Sequence, residues 1–431
     1  MTQPARHTLI NSIFRYITVI ILTLLCHAAT AQEWNKGNNA TSRQFVAHDS
    51  IDVSLITCGS GNDLYARFGH TALRVRNYTL QQDIVLNYGC FNYNEDWFVM
   101  KFIVGMTDYL LEAEPYSHFI YRYECMGNCV KEQVLNLTYE EKVKLLNILS
   151  ENLKPENQQY RYVWLYDNCT VRARKAIDKA INGKAHYQLA ENVAYDIHNL
   201  TIRDIIRMSV SNTPWISFGL DMILGQEIDQ KADPLTLMSM PPLLFKGFND
   251  SYIQDADGHQ RPYISSTTTI LPDRRPAEAA TPLYLAPMGV FTILLLGLMA
   301  LSQIEFKKKV QWWWLDVIVH SIQGIVGILI SFLFFFSSHP GVDSNWLVII
   351  FNPLAIAYAV WICRCHKRGQ RNKLAYANMA VTVAFLATMI FCKQRFDLAM
   401  YLAIGILLLR AGVQGHFAFH HGEKATETNR G

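Results

Sequence analysis

Cys169 is the residue of this 431-residue chain whose type and position best suit nucleophilic chemistry. It lies in Tyr166-Asp167-Asn168-Cys169-Thr170, where a strand pattern gives way to a helical pattern. A helix N-terminus stabilises an anion, so the pKa of a thiol at this position is expected to fall. Arg172 and Arg174 add positive charge in the first turns of the predicted helix. The alternative is a buried structural cysteine, which is the commoner role of a single cysteine.

A thiolate nucleophile needs a base, usually a histidine, that a third polar group holds in place. His70 lies in Phe68-Gly69-His70-Thr71-Ala72-Leu73-Arg74-Val75, at the start of a predicted strand. Asn87 lies in the next predicted strand, so a hairpin of the two strands would bring its amide towards the imidazole of His70. Of the other histidines of this region, His118 lies on a predicted amphipathic helix, and the rest lie in polar stretches without a motif. We expect structural or surface roles for them.

The elements that must position these residues are predicted to form an α+β domain. A helix is predicted over Thr138–Leu153, beginning with a capping box. A second helix is predicted over Cys169–Ile181, with Asp167 or Asn168 as its cap and Asn182-Gly183 as its end. Runs with β-branched or aromatic alternation predict strands at Asp52–Thr57, Thr71–Arg76, Asp83–Tyr88, Val130–Leu137 and Tyr160–Leu165.

The cysteines of this domain are odd in number. They are Cys58, Cys90, Cys125, Cys129 and Cys169, so an oxidising compartment can pair four of them and leave one free. The spacing of Cys125 and Cys129 suits a local bridge around a turn. Metal binding is the alternative for these two, but no nearby histidine or cysteine completes a tetrahedral ligand set. The pairing stays open, and chemistry favours Cys169 as the free thiol.

The last third of the chain is strongly apolar and predicts five transmembrane helices. Each apolar run is close to the roughly 20 residues that a helix needs to cross a hydrocarbon core of about 30 Å. Basic residues follow the first and third runs, and the positive-inside rule therefore exports the domain before them. Lys393 and Arg395, after the fourth run, are a minor exception. The runs are Leu283–Leu301, Leu315–Phe336, Trp346–Cys363, Tyr376–Cys392 and Leu398–Val413.

The N-terminus is typical of a secretory signal, because basic residues precede an apolar run that ends in small residues near Ala31. An uncleaved anchor is the alternative. We therefore predict a signal peptide over 1–31, an exported catalytic domain over 49–265, a linker over 266–282, a transmembrane domain over 283–414 and a cytoplasmic tail over 415–431. The net charge of +3 gives no indication of a nucleic-acid partner.

The order of these motifs resembles the permuted NlpC/P60 group of papain-like enzymes, in which the histidine strand precedes an Asn-Cys helix start. More specifically, the chain resembles the bacterial lipoprotein N-acylation transferase family Lnb, which joins a periplasmic domain of this type to five transmembrane helices. The resemblance covers nearly the whole mature chain. It rests on the His70 and Cys169 motifs together with Leu55-Ile56-Thr57-Cys58-Gly59 and Asn87-Tyr88-Gly89.

The resemblance implies a multi-pass acyltransferase of the bacterial inner membrane, with its catalytic domain in the periplasm. The acyl chain would pass from a membrane phospholipid, through a Cys thioester, to the α-amino group of the diacylglyceryl-Cys of a lipoprotein. Cys169 is then expected as nucleophile, His70 as general base and acid, and Asn87 as the orienting group. Asn168 is expected to cap the helix or to donate to the oxyanion. No cofactor or metal is expected. The residues expected at the substrate are Asn168, Tyr88 and Arg74.

Two other functions fit part of the pattern. A membrane-anchored cysteine hydrolase, such as a cell-wall peptidase or a thioesterase, would use the same cysteine and histidine. A non-enzymatic receptor or scaffold would instead keep His70 and Cys169 as structural residues. Cys169 would then be inert towards an alkylating reagent, as buried structural thiols are.

Overall fold

A computed structural model describes residues 50–63, 66–92, 95–189, 199–276 and 278–428, with the backbone alone from residue 419 onward. The predicted signal peptide, residues 1–31, lies outside these ranges. The described chain forms an antiparallel sheet with flanking helices, followed by a helical bundle. The α+β class predicted for the first part and the all-α class predicted for the second are therefore confirmed.

The strands of the described residues belong to two sheets. The larger sheet has the strand order β10-β5-β1-β2-β3-β4-β6, and every neighbouring pair is antiparallel. The smaller sheet has the order β7-β8-β9. The strands are β1 (Ile51–Cys58), β2 (His70–Asn77), β3 (Gln82–Cys90), β4 (Asp108–Pro115), β5 (Val130–Leu135), β6 (Gln159–Arg161), β7 (Ala185–His186), β8 (Tyr252–Gln254), β9 (Gln260–Pro262) and β10 (Ile264–Leu271).

The five predicted strands correspond to β1, β2, β3, β5 and β6. β6 is shorter than predicted, because the chain turns back on itself at a bridge between Val163 and Asp167 just before the Cys169 helix. β4 was not predicted. It pairs with β3 along its length and so supplies the neighbour of the strand that carries Asn87.

The Thr-rich segment at the end of the domain begins as a strand. We predicted a linker over 266–282, but Ile264–Leu271 extends the large sheet by pairing with β5, where Thr267 lies opposite Gln133. The prediction is wrong for residues 266–271. The side chains of 265–269 are all exposed, so the segment lacks the apolar alternation by which a half-buried strand is predicted.

Helices cover both faces of the large sheet. α3 and α5 pack on one face, over Leu55, Leu73 and Leu86, whereas α2 covers the opposite face, over Ile56 and Val85. The helices are α1 (Phe98–Ile103), α2 (Tyr116–Met126), α3 (Tyr139–Asn152), α4 (Pro155–Gln158), α5 (Cys169–Ala180), α6 (Ile202–Ser209), α7 (Pro214–Ile223), α8 (Pro234–Leu237) and α9 (Pro241–Asp250).

Both predicted helices of this domain are confirmed. Thr138 caps α3, and its side chain and that of Glu141 form the expected capping box. α5 ends at Ala180, just before the predicted stop at Asn182 and Gly183, which both adopt positive φ angles. Local sequence signals therefore define the two helices that lie against the sheet.

The second part of the described chain is a bundle of apolar helices at the predicted places. By length and composition, four segments are able to cross a membrane: Pro287–Lys308, Trp313–Phe336, Trp346–Lys367 and Leu398–Ala418. The remaining apolar helix, Ala375–Phe391, has 17 residues, or about 26 Å at 1.5 Å per residue. The helices are α10 (Pro287–Lys308), α11 (Trp313–Phe336), α12 (Leu354–Lys367), α13 (Ala375–Phe391) and α14 (Leu398–Thr428), so the backbone of the last helix continues into the predicted tail.

The two basic loops lie at one end of the bundle and the sheet domain lies at the other. Trp313 stacks on His366 with ring centroids 4.5 Å apart, which brings the start of α11 to the end of α12. At the opposite end, Ser337 Oγ donates to the carbonyl of Ile103 at 2.8 Å. Arg395, the exception to the charge pattern, forms an ion pair with Asp204 of the sheet domain at 2.6 Å.

Arg203 organises the part of the sheet domain that meets the bundle. Its guanidinium is fully buried and forms ion pairs with Asp221 at 2.8 Å and Asp229 at 2.7 Å. It also donates to the carbonyls of Leu224 and Gly225. One buried cation therefore holds α6, α7 and the turn that follows them in a single arrangement.

Candidate active site

Helix α5 carries Cys169 as its first residue, and Asn168 holds the start of that helix in place. Asn168 Oδ1 accepts a hydrogen bond from the N–H of Val171 at 2.9 Å. Its amide nitrogen donates to the carbonyls of Trp164 at 2.8 Å and Ser239 at 3.0 Å. Cys169 therefore cannot shift without breaking hydrogen bonds both to the preceding turn and to the segment before α9.

His70 reaches Cys169 because β2 begins beside the helix start. Gly69 has φ +79°, and a β-carbon there would lie 2.7 Å from the carbonyl oxygen of Cys58, so the chain needs glycine to enter β2 at this angle. The hydroxyls of Thr71 and Thr170 hydrogen-bond at 3.0 Å, which joins β2 to α5 one residue beyond each reactive group. The Cys169 thiol lies within hydrogen-bonding reach of the His70 imidazole.

The pair is polarised towards thiolate and imidazolium. Burial alone would raise the pKa of Cys169. The charge and the hydrogen bond of His70 act in the opposite direction, as do hydrogen bonds from the Thr71 backbone and the Thr170 hydroxyl. Together they bring the pKa of Cys169 below its ordinary 9.0. Burial alone would lower the pKa of His70, but Cys169 and the hydrogen bond with Asn87 bring it above its ordinary 6.5. The two shifts have opposite directions and a common cause, and both favour the thiolate–imidazolium form of the pair.

Arg172 and Arg174 contribute less to this polarisation than their sequence positions suggest. Arg172 forms an ion pair with Asp167 at 2.7 Å, and Arg174 forms one with Asp178 at 3.1 Å. Each positive charge is therefore largely compensated by its own carboxylate. The imidazole of His70 is the cation that acts on the thiol.

Asn87 and Glu114 fix which ring nitrogen of His70 faces the thiol. Asn87 Nδ2 donates to Glu114 Oε1 at 2.8 Å, and because a carboxylate only accepts, the amide oxygen must point the other way. That oxygen lies 3.2 Å from His70 Nε2, so Nε2 carries the proton of this hydrogen bond. Nδ1 is then left to accept the proton of the Cys169 thiol. Arg122 donates to the same Glu114 oxygen at 2.5 Å and balances its charge.

The approach of Asn87 to His70 was predicted, whereas Glu114 and Arg122 were not. Glu114 lies on β4, opposite Val85 in the register, and Arg122 lies on α2 below the sheet. Neither residue belongs to a motif. Their place in the site follows from the pairing of β4 with β3, for which the sequence gives no direct signal.

Gly89 and Tyr162 lie against the nucleophile. The pairing of β3 with β4 shifts register between Tyr88 and Cys90, and Gly89 has φ +92° at this bulge. A β-carbon on Gly89 would lie 3.6 Å from Cys169 Cβ and 3.9 Å from Tyr162 Cε2. Glycine thus lets β3 pass close to the nucleophile beside an aromatic ring. Sequence reasoning included Gly89 in a motif but missed Tyr162.

The contacts of Asn168 and Tyr88 do not support their expected roles at the substrate. The oxygen and both amide protons of Asn168 are engaged with the protein, so capping is confirmed and no proton is left for an oxyanion. Tyr88 is only 2% exposed, and its hydroxyl accepts from Asn152 at 2.8 Å. Tyr88 belongs to the core beneath α3, because neighbours on a strand point to opposite faces.

Arg74 is also engaged away from the nucleophile. Its guanidinium binds Asp83 at 2.6 Å and Glu132 at 3.0 Å, and it lies 3.4 Å above the ring centroid of Tyr116. It lies four positions after His70 on β2, or about 13 Å along an extended strand. Its contacts support a structural role between β2, β3 and β5 rather than the expected substrate contact.

The neighbouring cysteines differ from Cys169. All five cysteines of the sheet domain are free thiols. They include Cys125 and Cys129, for which the sequence allowed a local disulfide. Burial raises the pKa of the Cys58 and Cys90 thiols, which is the opposite of the direction at Cys169. Cys169, the nucleophile expected from the sequence, is thus the one of these three thiols whose pKa is lowered.

Comparison with known families agrees with the division of the chain into a sheet domain and a helical bundle. The model of the Lnb N-terminal periplasmic domain matches residues 38–207, which include the Cys169, His70 and Asn87 positions. The model of the Lnb transmembrane domain matches residues 278–420. No curated protein and no solved structure matches the chain.

Proposed function

Because the chain belongs to the Lnb family of membrane proteins, which is connected with lipoprotein N-acylation, we propose that it is a cysteine-dependent lipoprotein N-acyltransferase. It takes an acyl chain from a membrane phospholipid and transfers it to the α-amino group of the diacylglyceryl-Cys at the N-terminus of a lipoprotein. Its periplasmic domain is followed by a transmembrane region. Location in the inner membrane and passage through it five times are parts of the proposal.

The observation that carries the proposal is the arrangement of Cys169, His70 and Asn87 at the start of a capped helix. The thiol has a lowered pKa, a base within reach and an orienting amide on the far ring nitrogen. These are the parts that covalent catalysis by a cysteine needs. A purely structural cysteine gains nothing from an ionised neighbour, so the arrangement argues against a scaffold role.

In the first half-reaction, His70 Nδ1 accepts the thiol proton and the Cys169 thiolate attacks the ester carbonyl carbon of the phospholipid. The new C–S bond forms as the carbonyl electrons move onto oxygen, and the N–H of Cys169 at the helix start is the proposed donor to this oxyanion. Collapse breaks the ester C–O bond, and His70 returns the proton to the departing alkoxide. A lysophospholipid leaves, and the acyl chain stays on Cys169 as a thioester.

In the second half-reaction, the free amine of the lipoprotein attacks the thioester carbonyl. His70 accepts a proton from the attacking nitrogen, the C–S bond breaks, and Cys169 leaves as the thiolate. The product is an amide, and the two substrates supply every atom that is transferred. Asn87 holds the imidazole in one orientation through both steps, so the same nitrogen accepts and returns the proton.

The joint between the two domains supports a lipid donor over the soluble peptide that a cell-wall hydrolase would cut. Ser337 and Ser338, at the outer end of α11, hydrogen-bond to the backbone of residues 103–105 of the periplasmic domain. The domain is therefore held at a fixed height and orientation above the membrane. Both proposed substrates lie in that membrane.

The test uses the variant Cys169→Ser, with the exposed thiol variant Cys125→Ser as the matched control. Each is produced in cells whose own copy of the gene is deleted, and N-terminal peptides of lipoproteins are examined by mass spectrometry. We expect N-acylated peptides from the wild type and from Cys125→Ser. From Cys169→Ser we expect peptides with a free α-amine, because a serine hydroxyl beside His70 is a far weaker nucleophile than the thiolate.

Purified enzyme and phospholipid labelled in its acyl chains separate transfer from hydrolysis. We expect a labelled thioester on Cys169 that is stable without acceptor and is discharged by a diacylated lipopeptide. Fully N-acylated lipoproteins in the Cys169→Ser strain would overturn the proposal. Release of the label only as free fatty acid, at a rate that the lipopeptide does not change, would make the enzyme a hydrolase.

A further inference from the structure

Residues 97–106 form an exposed apolar segment on the periplasmic domain. Trp97 is 78% exposed, and the other large exposed side chains of the segment are Val99, Met100, Phe102 and Met106. Lys101 is its one charged residue, and it forms an ion pair with Glu95. Soluble domains rarely present so many large apolar side chains together unless the surface binds another apolar surface.

This apolar segment is fixed directly to the outer end of membrane helix α11. The N–H of Ser338 donates to the carbonyl of Val104 at 2.9 Å, and His339 Nε2 donates to the carbonyl of Phe102 at 2.6 Å. The backbones approach so closely that a β-carbon on Gly105 would lie 2.7 Å from Ser338 Oγ. The segment thus has a defined height relative to the bundle.

That height is the level of the membrane surface. Phe335 and Phe336, the last residues of α11, are 68% and 66% exposed and directly precede Ser337. Exposed phenylalanines at the end of an apolar helix face lipid, and aromatic residues are enriched at this interface. The apolar segment is hydrogen-bonded to Ser337 and Ser338, which directly follow these two rings. An amphipathic segment at such a level buries its apolar side chains about 5–10 Å into the headgroup and acyl boundary.

A row of aromatic rings leads from the apolar segment to the nucleophile. Phe98, in α1, stacks on Phe91 with centroids 5.5 Å apart, and Phe91 contacts Tyr109 edge-on at 5.0 Å. Tyr109 packs against Tyr162 at 4.1 Å. Tyr162 Cε2 and the β-carbon of Cys169 both lie within 4 Å of the position that a β-carbon on Gly89 would occupy. We call these four rings the aromatic row.

We propose that residues 97–106 insert into the outer leaflet and that this insertion, transmitted through the aromatic row, holds Cys169 close to the acyl esters of that leaflet. The inference rests on the proposed function for its ligand, but the insertion itself stands on the exposed apolar segment and its joint with α11. Phe98 and Tyr109 are only 8% and 5% exposed, so the row is a packed connection between the segment and the neighbourhood of Cys169 rather than an open surface. The distance of the thiol from the leaflet is thereby set by the depth at which the segment lies.

The test compares two acyl donors with enzyme reconstituted in bilayers. The variant replaces three exposed residues together, Trp97→Ser, Val99→Ser and Met100→Ser. The control is Tyr121→Ser, a large exposed residue of α2 that lies outside the segment. The donors are a phospholipid in the bilayer and a water-soluble butyryl thioester, and intact-protein mass spectrometry follows acylation of Cys169.

With the phospholipid we expect the triple variant to be acylated about tenfold more slowly than the wild type, since its apolar anchorage in the leaflet is lost. With the butyryl thioester we expect the same rate for both, and Tyr121→Ser should match the wild type with either donor. An equal loss with both donors, or no loss with either, overturns the proposal.

A second measurement tests the insertion of residues 97–106 independently of acyl transfer. In bilayers of phospholipids brominated on their acyl chains, the fluorescence that Trp97 contributes, taken as the signal of the wild type minus that of Trp97→Phe, should be quenched. A difference signal that the brominated lipids leave unchanged refutes insertion. If the wild type takes no acyl group from phospholipid but Trp97 is quenched, the proposed function fails and the insertion stands.

Discussion

Replacement of Asn87 by alanine tests the proton pathway of the site most directly. Asn87 contacts the ring nitrogen of His70 that faces away from the thiol, so its loss leaves Cys169 and its helix untouched. Without the amide oxygen, the imidazole can rotate or carry its proton on the other nitrogen. Nδ1 would then no longer be a dependable acceptor for the thiol proton.

The size of the effect follows from the geometry. A hydrogen bond to a charged group contributes about 1.5–3 kcal/mol. The distance between Asn87 Oδ1 and His70 Nε2 is 3.2 Å, which is long for such a bond. Its energetic contribution should therefore lie near the lower of these two values. Since 1.4 kcal/mol corresponds to a factor of ten, Asn87→Ala should slow Cys169 acylation by about ten- to thirtyfold. Glu114 keeps its ion pair with Arg122, so the variant leaves no buried charge unpaired.

The assay is single-turnover acylation of Cys169 by labelled phospholipid, with thermal unfolding measured in parallel. Asn77→Ala is the matched control, because Asn77 is an equally buried asparagine at the other end of the same hairpin. We expect the control to lose some stability and to keep its rate. A full acylation rate in Asn87→Ala would refute the orienting role. An equal loss of rate in both variants would assign the effect to the fold of the hairpin.

Four further predictions concern the pKa values and the buried contacts. Because His70 lowers the pKa of Cys169, alkylation of this thiol by iodoacetamide should titrate with a midpoint below 9.0, and His70→Ala should move the midpoint upward; an unchanged midpoint contradicts the ion pair. The thiolate–imidazolium form exists between the lowered pKa of Cys169 and the raised pKa of His70, so the acylation rate should rise as the pH passes the first and fall as it passes the second; a rate that stays constant on the alkaline side, where His70 loses its proton, would contradict it. Asn168→Ala removes a helix cap and should lower the free energy of unfolding by about 1–2 kcal/mol, measured by denaturant titration, and a neutral effect would show that the cap is dispensable. Arg203→Leu leaves the Asp221 carboxylate buried beside one remaining partner and should cost about 3–5 kcal/mol, seen as a lower Tm, whereas an unchanged Tm would contradict the described pairing.

The sequence predicts the elements that carry the reactive groups because their signals are local. Asn168 caps the helix that begins at Cys169, and the hairpin of β2 and β3 brings Asn87 to His70, as expected from strand order. The hairpin follows from adjacent strands with a short connection. These features depend on neighbours in the chain, so a single sequence is enough to find them.

The contacts that the sequence did not predict depend on pairing across strands. Glu114 enters the site only through the register of β4 against β3, and Tyr162 only through the turn that ends β6. Arg74 and Tyr88 were assigned to the substrate from membership of a motif. The period of two along a strand would have placed Tyr88 on the opposite face from Asn87.

The joint between the domains has a consequence for the order in which the protein is made. The carbonyls of Met222 and Leu224 accept hydrogen bonds from the side chains of Asn345 and Gln394, which are synthesised about 120 and 170 residues later. The periplasmic domain therefore lacks two of its hydrogen-bond donors until the segments after α11 and α13 have been made. A chain truncated before Asn345 lacks both donors, so completion of this joint depends on the last part of the bundle.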